Sequence, residues 1–233
     1  MGVGHLLLFD IDGTLLLRAA EAHKHALYEA LAKVHHVGPD RIGEVPTAGR
    51  TDLEIARHLL LDAGVPPDRI DAHLDDVRDA ACEAYARLCP PDLSDTVAPG
   101  MPELLAELRD RGDVGLALVT GNLEPIARLK LSRAGLGEFF PPGQGGFGSD
   151  DEDRTQLPAV ARERAVDGNL AAFPRDRTIV IGDTPLDVLC ARADGVHCIA
   201  ITTGPHGADE LAGADAVVGD ARGVADALRQ LGV

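Results

Sequence analysis

Leu6-Leu7-Leu8-Phe9-Asp10-Ile11-Asp12-Gly13-Thr14-Leu15 is the stretch on which the reading of this chain turns. A continuous apolar run without alternation predicts a strand buried on both faces. Asp10 then falls at the strand's carboxyl end, and Asp12-Gly13-Thr14 predicts a sharp turn directly after it. A carboxylate in that position can attack phosphorus and form an acyl phosphate. A second carboxylate close by can protonate a leaving alcohol and later activate water. The same residues also suit a strand ending in a capped turn with no chemistry, so the stretch acquires meaning only from its partners.

Two further strand ends supply them. Leu116-Ala117-Leu118-Val119-Thr120-Gly121-Asn122 predicts a buried strand ending in a hydroxyl residue, and Thr178-Ile179-Val180-Ile181-Gly182-Asp183-Thr184-Pro185-Leu186-Asp187 predicts one ending in two acids. From Pro99 onward strands and helices alternate. Helices are expected over 101–111, 124–134, 157–165, 185–193 and 221–231, and strands over 114–119, 178–182, 196–201 and 215–218, with a short Gly-rich strand or loop at 143–147. Such alternation predicts a parallel sheet covered on both faces, with ligands at the carboxyl ends of the strands, where all three motifs lie. Between residues 19 and 90 no strand-like run occurs. Helices are expected over 19–36, 51–63 and, as one or two, 67–88, and Pro90-Pro91 closes the segment. The fold class is therefore α/β: a doubly wound, Rossmann-like core over 1–16 and 92–233 with an inserted all-helical cap over 17–91.

The formal charge of −16 argues against nucleic acid as a partner, because phosphates would be repelled. No apolar run is long enough to cross a bilayer, and no basic region precedes Asp10 as in an export signal, so neither a membrane nor secretion is expected. Cys82, Cys89, Cys190 and Cys198 show no Cys-x-x-Cys spacing and suggest reduced thiols in a cytoplasm. Cys190 and Cys198 lie in apolar segments and read as buried small hydrophobes. His25, His35, His36, His58 and His73 lack metal-ligand spacing and read as surface residues.

The three motifs, in their order and separations, resemble the haloacid dehalogenase-like hydrolase superfamily over nearly the whole chain. The matching pieces are residues 10–15, the strand end at Thr120, and residues 182–187. The insertion resembles the helical cap of the branch that holds phosphoglycolate phosphatases and β-phosphoglucomutases. The resemblance implies Asp10 as nucleophile and Asp12 as general acid and base. It implies that Thr120 binds a phosphate oxygen, with the N–H groups of Gly121 and Asn122 and the start of the following helix assisting. It also implies that Asp183 and Asp187 complete a metal site with Asp10 and the backbone carbonyl of Asp12. Oxygen-only ligands suit Mg²⁺, and a cation relieves the repulsion among converging carboxylates. Family members that cleave carbon–halogen bonds lack an acid at the Asp12 position, so Asp12 favours phosphoryl transfer.

Most members also carry a lysine that pairs with the nucleophile. By order that position falls near Arg154, whose fork suits phosphate, while Lys130 is the rival, tilting back toward the start of its helix. Arg50, in Ala48-Gly49-Arg50-Thr51-Asp52, is the cap residue expected to meet an anionic group on the substrate or else to form a salt bridge within the cap. Glu21 and His23, near the first hinge, have weaker claims. The expected enzyme is a cytoplasmic Mg²⁺-dependent phosphatase, monomer or homodimer, acting on a small phosphorylated metabolite of the phosphoglycolate or sugar-phosphate class. A phosphomutase of the β-phosphoglucomutase kind is the alternative, followed by a dehalogenase or a non-catalytic phosphate-binding protein.

Overall fold

The computed structural model describes residues 4–167 and 173–233. Six strands form one parallel sheet: β1 (His5–Phe9), β2 (Val114–Thr120), β3 (Gly146–Phe147), β4 (Thr178–Gly182), β5 (His197–Ile201) and β6 (Ala216–Val218). Their spatial order is β3-β2-β1-β4-β5-β6, so the chain winds outward from β1 in both directions. Phe9 sits opposite Leu118 of β2 and Ile181 of β4, which brings all three predicted strand ends to one edge.

Alternation along the strands is real but hidden, because both faces are apolar. Leu7 and Phe9 enter one core with Leu118, Ile181 and Ile199, while Leu6 and Leu8 enter another with Val119, Val180 and Cys198. The first core is closed by α5 (Met101–Arg109), α6 (Glu124–Arg133) and α9 (Ala221–Gln230), and the second by α7 (Leu157–Asp167) and α8 (Pro185–Asp194). Helices on both faces make this a doubly wound α/β fold, as the strand pattern predicts.

The segment after β1 carries α1 (Glu21–His35), α2 (Asp52–Asp62), α3 (Pro67–Ala72) and α4 (Leu74–Leu88), and no strand. Ala26, Leu27, Ala30 and Leu31 of α1 pack against Val77, Ala81 and Ala84 of α4 in a third cluster, which Leu123 and Ile126 join from the core. One expectation fails here. His35 is buried at 6 % exposure with neither ring nitrogen hydrogen-bonded, because it falls on the inner face of α1 and packs edge-on against the His73 ring. Cys190 and Cys198 are buried and free, as expected. Among the described residues no helix is long and apolar enough to cross a membrane.

Candidate active site

Asp10 leaves β1 directly above the sheet edge, its N–H bonded to the Ile181 carbonyl at 2.9 Å. Gly13 makes the turn behind it. Its φ of +87° is left-handed, and a Cβ there would collide with the Asp183 carboxylate. Thr14 donates to Asp183 Oδ1 at 3.1 Å, which locks that loop onto the end of β4.

Asp10, Asp183 and Asp187 are buried and place carboxylate oxygens within 4.8 Å of one another. Burial, followed by repulsion from Asp10 and Asp187, pushes the Asp183 carboxyl up to about 8. Burial likewise raises Asp10 to about 6, against the opposing pull of Arg154. Asp187 is also the N3 residue of a capping box on α8, accepting from the Thr184 N–H at 3.0 Å and its hydroxyl at 2.7 Å. Arg154 donates to Asp187 Oδ1 at 2.5 Å. It lies 3.2 Å from Asp10 Oδ1 without a hydrogen-bonding angle, so that buried oxygen has no donor. An acid cluster with an orphaned oxygen and raised pKa values fits a divalent cation with oxygen ligands.

Asp12 points elsewhere. Lys130, fully buried on α6, donates to its two oxygens at 2.8 and 2.6 Å, and the Asn122 amide donates to Oδ2 at 2.8 Å. Burial alone would raise the Asp12 carboxyl, but the Lys130 ammonium outweighs it and holds the group below the ordinary range. The two rivals for the family's lysine therefore both reach the site and separate, Arg154 to Asp10 and Lys130 to Asp12.

Lys130 also lies 3.1 Å from His23 Nδ1, and His23 Nε2 lies 2.9 Å from Asp52 Oδ2. An ammonium has only donors, so Nδ1 accepts and Nε2–H donates to Asp52. Asp52 Oδ2 in turn accepts the Leu123 N–H at 2.8 Å, and Ser149 accepts the Glu124 N–H at 2.9 Å. This corrects one expectation. The start of α6 does not aim free N–H groups at a phosphate, because the helical segment caps it with a carboxylate.

Thr120 is fully buried, its hydroxyl accepting from the Asn122 amide at 3.0 Å. Gly121 lies under the Arg50 backbone carbonyl and accepts the Asp52 N–H at 2.9 Å. Neither lines the cavity of about 450 Å³ above the cluster, whereas Asp10, Asp12, Asn122, Arg154 and Asp183 do. Its outer wall comes from the helical segment and includes Arg18, His23 and Arg50. Arg50 is paired with Glu54. Sequence reasoning missed Asp52 and Arg18. Thr51 caps α2, accepting the Glu54 N–H, and the expected helix start at residue 51 gave no sign that Asp52 would cross to α6.

The family profile described as haloacid dehalogenase-like hydrolase matches residues 7–192, and a second, described as HAD-hyrolase-like, matches 158–231. The chain is 29% identical over 215 residues to the validoxylamine A 7'-phosphate phosphatase of Streptomyces hygroscopicus subsp. limoneus, covering 91% of this chain and 92% of that one. The phosphoglycolate phosphatase of Rhodospirillum rubrum is also 29% identical, covering 85% of this chain and 79% of that one. The crystal structure of β-phosphoglucomutase from Clostridium difficile shares the fold at a TM-score of 0.68 and 16% identity, covering 99% and 97% of the two chains. The chain belongs to the haloacid dehalogenase-like hydrolase family.

Proposed function

We propose that the chain is a cytoplasmic, Mg²⁺-dependent phosphatase that hydrolyses a small phosphate monoester through an aspartyl-phosphate at Asp10. The observation that carries this reading is the division of labour between two carboxylates two residues apart. Asp10 lines the cavity from within the acid cluster and has one buried oxygen without a donor, while Asp12 is held aside by Lys130 and Asn122. One is placed to attack and the other to move a proton.

In the first step an Asp10 oxygen attacks phosphorus, the bond to the leaving oxygen breaks, and Asp12 delivers a proton to that oxygen. In the second, water attacks the phosphorus of the acyl phosphate. Asp12 takes its proton, and inorganic phosphate leaves with Asp10 regenerated. Lys130 and Asn122 favour the Asp12 carboxylate, the form this second step uses, so the proton that Asp12 delivers in the first step is one that enters with the substrate's phosphate. Arg154 balances charge beside Asp10. A cation held by Asp10, Asp183 and the Asp12 carbonyl, with Asp187 beside them, would neutralise phosphate charge and fix the line of attack. Residues 17–91 act as the cap that covers the leaving group.

Phosphate release from a panel of phosphorylated metabolites, with Mg²⁺ and after chelation, tests the reading. Release should stop on chelation and return with Mg²⁺, and the melting temperature should rise with Mg²⁺ by mass action. Full activity after exhaustive chelation would exclude the proposed cation site. Conversion of a sugar phosphate to its isomer without net phosphate release would turn the reading to a mutase.

A further inference from the structure

The floor of the cavity treats every phosphoryl group alike, so the leaving group must be chosen by the outer wall. That wall has an apolar side, made by Leu27, Tyr28 and Ile55, and basic residues around it. Most of those cations are already engaged. Arg154 is held by Asp10 and Asp187, Arg50 by Glu54, and Lys24 lies 4.0 Å from Glu44 and 5.5 Å from the Tyr28 ring centroid. Arg18 lines the same cavity, and its side chain makes no hydrogen bond or ion pair with any described residue.

Arg18 also has a φ of +62°, a left-handed conformation that L-residues other than Asn and Asp seldom adopt. Glycine or asparagine would fit that backbone with less strain. A left-handed backbone at a long, exposed cation on the cavity wall, with no described partner, points to a role for the side chain. Of the two acids in this wall, Asp52 is held by His23 and the Leu123 N–H, and Glu21 does not cancel Arg18. Its carboxylate lies 3.2 Å from His25, and its side chain is 81 % exposed. A cavity of about 450 Å³ also holds far more than a phosphoryl group.

We propose that Arg18 selects substrates bearing a second anionic group, so that the preferred substrate is a phosphate monoester whose leaving group lays an apolar ring face on Leu27, Tyr28 and Ile55 and pairs its second charge with Arg18. This rests on the phosphatase reading for its chemistry, but the recognition itself is a binding property. Arg18 is a specificity residue, and the reacting atoms lie with Asp10 and Asp12.

The test uses two matched pairs of probes. The aryl phosphates 4-carboxyphenyl phosphate and its neutral isostere 4-carbamoylphenyl phosphate report on turnover. The non-hydrolysable 4-carboxybenzylphosphonate and 4-carbamoylbenzylphosphonate report on binding by calorimetry with Mg²⁺ present. The native protein should favour the carboxylate of each pair by roughly tenfold or more, the size of a charge-assisted contact. Arg18→Gly, which suits the left-handed backbone, and Arg18→Gln should both bring the ratio to near one, and Arg18→Lys should retain most of it. A native ratio near one in binding, or a ratio unchanged in Arg18→Gly, overturns the proposal. Selective binding of the phosphonates without turnover of either ester would leave Arg18's assignment standing and overturn the phosphatase reading instead.

Discussion

Arg154 and Lys130 compete for one role in the sequence and hold two in the structure. Arg154 lies between two buried carboxylates, Asp10 and Asp187, and its guanidinium is held well above its ordinary pKa by their charges, against the opposing effect of burial. Removing it leaves like charges facing each other and withdraws a positive group from the site of charge development. Arg154→Ala should therefore lower kcat/KM on alkyl and aryl phosphates alike, by about 2.7–4 kcal/mol, a hundredfold or more. Lys130 pairs with Asp12, whose proton, in the proposed mechanism, matters most to a poor leaving group. Lys130→Met should thus reduce turnover of an alkyl phosphate more than that of a nitrophenyl phosphate. Steady-state kinetics on the two substrates checks both, and the same pattern from both variants would contradict the division. The tilt of helical side chains toward the N-terminus made Lys130's approach legible. Its partner was not, because Asp12 lies 118 residues away in sequence and periodicity does not pair polar groups across an interface.

At the scale of elements, the helical segment is fastened to the core by few but specific contacts. Asp52 caps α6 and holds His23. Thr51 donates to the Glu152 carbonyl at 2.8 Å, and Arg57 pairs with the Glu152 carboxylate through two bonds of 2.7 Å. Asp52→Ala would leave the buried Leu123 N–H and the His23 ring without an acceptor, a cost of about 1–3 kcal/mol. The melting temperature should fall accordingly, and kcat and KM should shift together because the helical segment seats less well on the core. An unchanged melting temperature would show that water replaces the carboxylate there.

His35 gives a second prediction for this segment. Burial lowers its pKa from 6.5, so the folded state binds its proton less readily than the unfolded chain does. Its contribution is therefore neutral above about pH 6.5 and destabilising as pH falls through that value toward the lowered pKa. His35→Leu should raise stability most on the acid side and flatten its decline below about pH 6.5, read by denaturant unfolding at several pH values. A parallel decline in both proteins would contradict this. The elements themselves were largely legible: strand ends at Asp10, Thr120 and Gly182 and the helix limits fall within a few residues of expectation. The burial of His35 was not, because an apolar face read at helical spacing assigns a lone histidine to the polar side by default.

For the whole molecule, the charge of −16 sets a global field that repels an anionic substrate. The topology answers it locally. Winding outward from β1 brings Asp10, Asp183 and Asp187 to one edge, where a cation fits, and Arg154 beside them. The helical segment then covers that edge and adds Arg18. These placements follow from which strands neighbour β1, and motif order along the chain made that much legible. The central claim is that Asp10 carries the phosphoryl group. Acid quenching during turnover, with borohydride reduction of the trapped protein and peptide mapping by mass spectrometry, tests it most directly. A phosphorylated Asp10 that borohydride converts to homoserine, absent in Asp10→Asn, is expected. A trapped phosphoryl group on another residue, or full turnover by Asp10→Asn, would contradict it.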